Sequence, residues 1–98
     1  MNKIRISVPP AFKDLLPAYL ESRKQDLKAL KDALTRKDFM FLSTRGHKTR
    51  GSAAGYGFVG LGEIAKKLEM AAISENIDAS REAVAEMEKY LDQVEIAD

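Results

Sequence analysis

The sequence predicts an all-α protein, an antiparallel four-helix bundle with a short N-terminal lead, and three observations carry that prediction. Apolar residues recur at three- and four-residue steps in four successive stretches. Strand-like alternation is confined to the first eight residues. The breaks between the stretches are short, which makes successive helices antiparallel neighbours. A chain of 98 residues is one domain's worth, so residues 1–98 are expected to form a single unit with one modest core.

The lead is Lys3-Ile4-Arg5-Ile6-Ser7-Val8, which alternates and then meets Pro9-Pro10; it is expected to be extended and tucked against the bundle. The first helical stretch runs from about Ala11 to Thr35, with Phe12, Leu16, Tyr19, Leu20, Leu27, Leu30 and Leu34 on one stripe. Pro17 interrupts it. Proline lacks the helical N–H and clashes with the preceding turn, but fits a first turn well. A further short helix is therefore expected up to about Leu16, with a fresh start around Pro17.

Asp38 reads as the N-cap of the second helix, which is expected to end near Ala54, with Gly55 as its left-handed stop and Gly55 to Phe58 as the turn. The third helix is placed at about Gly60 to Glu75, with Leu61, Ile64, Ala65, Leu68 and Ala72 inward. Asn76 to Asp78 reads as the last turn. The fourth helix is placed at about Ala79 to Glu95, with Val84, Met87, Leu91 and Val94 on one side.

Composition narrows the function. Hydrophobic residues make up 45% and charged residues 32%, a globular mix. No run of about 18 apolar residues occurs, and residues 1–10 lack the apolar core of a signal peptide, so no membrane association and a cytoplasmic location are expected. There is no cysteine, and one histidine alone offers too few good ligands for a metal site. The net charge is +1, yet Arg36, Lys37, Arg45, Lys48 and Arg50 face only Asp38 across 15 residues, a local balance of +4 around that histidine. Such a field suits an anionic ligand or an acidic partner. A pI near 7.9 is low for a nucleic-acid binder, and no nucleic-acid partner is expected.

On a helical wheel, Phe39, Leu42, Gly46, Thr49 and Ala53 form the core side of the second helix, and His47 points about 120° away from it. Its neighbours on the exposed side are Met40, Ser43, Thr44, Arg50, Gly51 and Ala54, small apart from Met40 and Arg50. A glycine inside a helix costs about 0.5–1 kcal/mol relative to alanine. Gly51 would give a partner clearance beside His47, and Gly46 would allow close approach of another helix. Arg50, one turn on, can reach a phosphoryl group carried by the ring. Arg45 and Lys48 lie too far round the helix for that contact and are placed as steering charges.

Gly46-His47-Lys48-Thr49-Arg50-Gly51, continuing to Gly57-Phe58, resembles the signature of histidine phosphotransfer (HPt) domains: a histidine, a basic residue three on, a glycine next, and a glycine six further. Leu68-Glu69 is similar to a Leu-Glu pair that often closes the following helix in that family. The resemblance implies that His47 is the phosphoacceptor at its solvent-facing Nε2, with Arg50 where lysine is usual. It implies a carrier without kinase activity that binds no cofactor and exchanges phosphate with an aspartate of a response-regulator receiver domain or hybrid histidine kinase. The Mg²⁺ would sit in the receiver. A histidine kinase dimerisation segment fits less well, since Lys48 rather than an acid follows the histidine and no proline follows Pro17. The alternative is a non-catalytic helical adaptor that binds a receiver or another acidic partner. A monomer is expected, because four helices close a core unaided.

Overall fold

A computed structural model describes residues 3–8 and 10–96. A 3₁₀ helix, Pro10–Leu15, leads directly into α1, Leu16–Arg36, with Pro17 in the first turn of α1, as its fixed φ and missing N–H dictate. Then follow α2 (Phe39–Tyr56), α3 (Val59–Ile73) and α4 (Ile77–Gln93). Each helix packs on the next, and α1 on α4, which closes the bundle. The register is antiparallel: the Tyr19 hydroxyl meets Ser52 while Asp26 meets Arg45, and His47 meets Glu69 while Gly62 lies against Arg50 and Ala54.

The three connections share one hydrogen-bond pattern. Lys37, Gly57 and Glu75 each adopt a left-handed conformation (φ 55, 92 and 54°). Each donates its N–H back to the carbonyl three residues earlier, while the residue after it donates to the carbonyl five earlier: Asp38 to Ala33, Phe58 to Ala53, Asn76 to Ala71. This is the Schellman termination. The second donor then opens the next helix, with Asp38 Oδ1 accepting from the Phe41 N–H and Asn76 Oδ1 from the Ala79 N–H, both at 3.0 Å.

That pattern corrects several expected boundaries. Gly55 is not the stop of α2; it lies inside the helix, and Gly57 takes the left-handed position because the apolar Phe58 must follow it into the core. Helix α3 starts at Val59, not Gly60. Asn76 caps α4, so Ile77 and Asp78 are its first turn and not a separate loop.

At the other end α4 stops at Gln93. Val94–Ile96 forms β2, which pairs in parallel with β1, Ile4–Ile6, so Val94 and Glu95 belong to a strand rather than to the expected helix. Glu95 receives both Lys3 (3.0 Å) and Arg5 (3.5 Å). The lead is thus tucked in, as expected, through a strand contributed by the C-terminal end of the described chain. Val8 is buried beyond β1 and lies against Gly57.

The core consists mainly of Leu16, Leu30, Leu42, Phe58, Leu61, Leu68, Val84 and Met87, all nearly inaccessible. Tyr90 covers Gly60, where a Cβ would lie 2.9 Å from the ring, and burial pushes its hydroxyl pKa up. The tightest contact is between α2 and α3. A Cβ on Gly46 would lie 2.9 Å from the Glu69 backbone nitrogen and 3.0 Å from the Ala65 carbonyl. Gly46 therefore allows the close helix approach that its sequence position suggests. Gly46→Ala should destabilise the bundle by about 1–3 kcal/mol despite alanine's better helix propensity, because backbone must move. Chemical denaturation checks this.

Candidate functional site

The core face of α2 is Leu42, Gly46, Thr49 and Ala53, all buried, with Phe39 half-buried. His47 consequently projects outward, and its side chain is 64% exposed. An exposed histidine is ordinarily free to rotate. Here its Nδ1 lies 2.8 Å from Oε2 of Glu69 on α3, a carboxylate only 13% exposed. An ionised carboxylate has no proton to give, so Nδ1–H donates and Glu69 accepts. The neutral ring then presents its lone pair at Nε2, which has no hydrogen-bond partner among the described residues.

Arg50 Nη1 lies 3.2 Å from the other oxygen of Glu69, an ion pair without hydrogen-bond alignment. Glu69 thus bridges the ring and the guanidinium, which offsets the cost of holding a carboxylate largely out of water. Arg50 is turned towards Glu69 rather than standing free over the ring. Its side chain is 39% exposed.

A shallow groove beside the ring is lined by Ser43, Thr44, His47, Lys48, Glu69 and Ile73. The Ser43 hydroxyl donates to the Met40 carbonyl, so it is tied to its own helix. Thr44, Gly51 and Ala54 are exposed, and Met40 is 80% exposed. A Cβ added to Gly51 would have no neighbour within 4 Å; packing within the chain does not demand this glycine.

The basic cluster is less free than the sequence implies. Arg45 Nη1 lies 3.7 Å from Asp26, and its guanidinium sits over the Phe41 ring. Arg36 pairs with Asp32 and lies 3.7 Å from Asp38. Among the described residues, Lys37 and Lys48 are the cations of this stretch without an ion pair.

Two residues that matter here do not stand out as site residues in the sequence. Glu69 figures there only as half of a Leu-Glu pair. Its signal is an acid one turn from both Ala65 and Ala72, on the edge of an otherwise apolar face. Ile73 carries no signal of its own, because its exposure depends on where α3 ends. No group of three or more His, Cys, Asp or Glu side chains gathers as a metal site among the described residues, and none of the helices described is long and apolar enough to cross a membrane.

The Hpt domain family model matches residues 14–97. The chain belongs to this histidine phosphotransfer domain family, whose members are phosphocarrier modules of two-component signalling rather than catalysts. Comparison with curated proteins and with solved structures gave no match.

The hydrogen bond to Glu69 has a direct spectroscopic consequence. At a pH where the ring is neutral, His47 should populate the Nδ1–H tautomer, and Glu69→Ala should shift it towards Nε2–H. Long-range ¹H–¹⁵N NMR of the imidazole reads this without any partner.

Proposed function

We propose that His47 is a phosphoryl carrier: Nε2 takes a phosphoryl group from an aspartyl phosphate of a receiver domain and returns it to such an aspartate. The observation that carries this reading is an outward-facing histidine whose inward nitrogen is held by a carboxylate largely withdrawn from solvent. In the forward step the Nε2 lone pair attacks phosphorus, the P–O bond to the aspartate breaks, and the aspartate leaves as a carboxylate. Nδ1 keeps its proton, so the ring becomes cationic as the N–P bond forms, with the proton-bearing nitrogen facing Glu69. A carboxylate already in place stabilises that charge without reorganising. The reverse step releases a neutral imidazole by the same path.

Arg50 supplies the second charge. Its pairing with Glu69 is unaligned and part-exposed, so the guanidinium is free to turn to the phosphoryl oxygens. Gly51 and Ala54 keep the surface beside the ring low for the incoming receiver. Ser43, Thr44 and Met40 border the other side. Lys48, with Arg45 partly screened by Asp26, steers the acidic receiver pocket. The partners in this reading are response regulators or hybrid kinases, the receiver brings its own Mg²⁺, and the carrier itself is a cytoplasmic monomer.

His47→Gln should fold like the parent, since it removes one exposed ring, yet accept no phosphate. The assay is transfer from phosphorylated receiver domains with Mg²⁺. The parent should gain acid-labile, base-stable label; label of the same kind on His47→Gln would contradict the assignment.

Gly51 separates clearance from stability. Gly51→Ala should stabilise the fold by about 0.5–1 kcal/mol, because the site is open and helical. Gly51→Leu should keep its helicity by circular dichroism but slow transfer, because the side chain fills the approach to Nε2.

A further inference from the structure

The two nitrogens of His47 face different sides of α2. Gly46 and Arg50 lie on the side that meets α3, where Glu69 holds Nδ1. Thr44 and Lys48 lie on the other side, about 60° and 100° round from His47. With Nδ1 turned to Glu69, Nε2 points away from α3 towards that second side. Helical side chains also lean towards the N-terminus of their own helix, which carries the ring over the turn that holds Thr44 rather than the one that holds Gly51. The groove beside the ring agrees: Thr44 and Lys48 line it, whereas Arg50, Gly51 and Ala54 do not.

Thr44 brings to that groove a hydroxyl that the fold leaves unused. Inside a helix such a group ordinarily donates to a carbonyl three or four residues back, as Thr35 does to Lys31 at 3.2 Å and Ser52 to Thr49 at 3.4 Å. For Thr44 the carbonyl four back is that of Met40, and the Ser43 hydroxyl already takes it at 3.1 Å. Thr44 is exposed, and its hydroxyl has no hydrogen-bond partner among the described residues.

We propose that the Thr44 hydroxyl is a phosphoryl-binding group, which donates a hydrogen bond to an oxygen of the phosphoryl group carried on Nε2 of His47. This rests on the carrier reading of His47. Residues three apart on a helix stand about 5–6 Å apart at Cβ, close enough for a group on the ring to meet the shorter side chain. Thr44 lies one turn before His47 and Arg50 one turn after it, so the two donors bracket the phosphoryl group. They are not equivalent. Arg50 must first turn from Glu69, whereas the Thr44 hydroxyl gives up only water. In the transfer the N–P bond forms and the P–O bond to the aspartate breaks; Thr44 keeps both its oxygen and its proton. The hydrogen bond exists only while phosphate is on the ring. It therefore stabilises phosphohistidine relative to free histidine, and moves the equilibrium with the receiver aspartate towards His47.

The test reads that equilibrium, because docking cannot alter it: a weaker encounter slows delivery and return by the same factor. Parent protein, ¹⁵N-labelled to separate the masses, is phosphorylated through a receiver domain with acetyl phosphate and Mg²⁺, and the acetyl phosphate is removed. An equal amount of unphosphorylated variant and a trace of the same receiver are added, and intact-mass spectrometry follows the share of phosphate on each chain until it is constant. Thr44→Val keeps the branched shape and Thr44→Ala favours the helix, but both lose the hydroxyl. Each should leave phosphate on the parent by about fivefold, as one exposed hydrogen bond gives. Thr44→Ser keeps the hydroxyl and should share phosphate with the parent to within about twofold, as should Thr35→Val, which loses a hydroxyl on α1. Even sharing with Thr44→Val and Thr44→Ala, or a Thr35→Val partition as uneven as theirs, overturns the role of Thr44 while leaving His47 as carrier. A parent protein that takes no label at His47 from any receiver overturns the carrier reading, and the role of Thr44 with it.

Discussion

The site depends on the backbone contact between α2 and α3 at Gly46. There the two helices come so close that the nitrogen and Cα of Glu69 occupy the place a side chain would fill. His47 is the next residue on α2, and Glu69 is the residue whose backbone is touched. The close approach and the 2.8 Å contact between ring and carboxylate are thus two consequences of one packing choice. Further along, the helices stand slightly wider apart: a Cβ on Gly62 would meet the Arg50 carbonyl at an ordinary 3.6 Å. The exposed imidazole proposed as the nucleophile is consequently held by rigid elements rather than by a loop, which is what positioning for an in-line transfer requires.

Charge is distributed around that contact in a way composition alone conceals. Glu69 faces the histidine and Arg50 together, and the acids of α1 engage two of the other cations, Arg45 through Asp26 and Arg36 through Asp32. The +4 field read along the chain therefore contracts to a smaller region in space, with Lys37 and Lys48 unpaired among the described residues. A local field is better suited to guiding one acidic partner than to binding polyanions at large.

Much of the fold and part of the site are legible in the sequence, for identifiable reasons. Periodicity places the helices, Pro17 places the start of α1, and Asp38 marks a cap, because each of these signals is local. The outward direction of His47 and the reason for Gly46 follow from the helical wheel. Local signals fail where the chain uses unusual residues for ordinary geometry. Lys37 and Glu75 adopt left-handed conformations usually given to glycine, and Gly55, which looks like a stop, sits inside a helix. Alternation marks β1, but its pairing with β2 leaves no sequence signal, because the partners lie 90 residues apart and the three residues of β2 carry no period. Glu69 is not legible as a site residue because its role depends on a contact across helices.

The account stands on the claim that Glu69 holds Nδ1 and leaves Nε2 to react. The direct measurement is ³¹P and ¹⁵N NMR of the phosphorylated, ¹⁵N-labelled protein, with the phosphorus–nitrogen coupling assigned to one ring nitrogen. The account predicts phosphorus on Nε2 of His47 and a proton retained on Nδ1 against Glu69. Phosphorus on Nδ1, or on any residue other than His47, would contradict it.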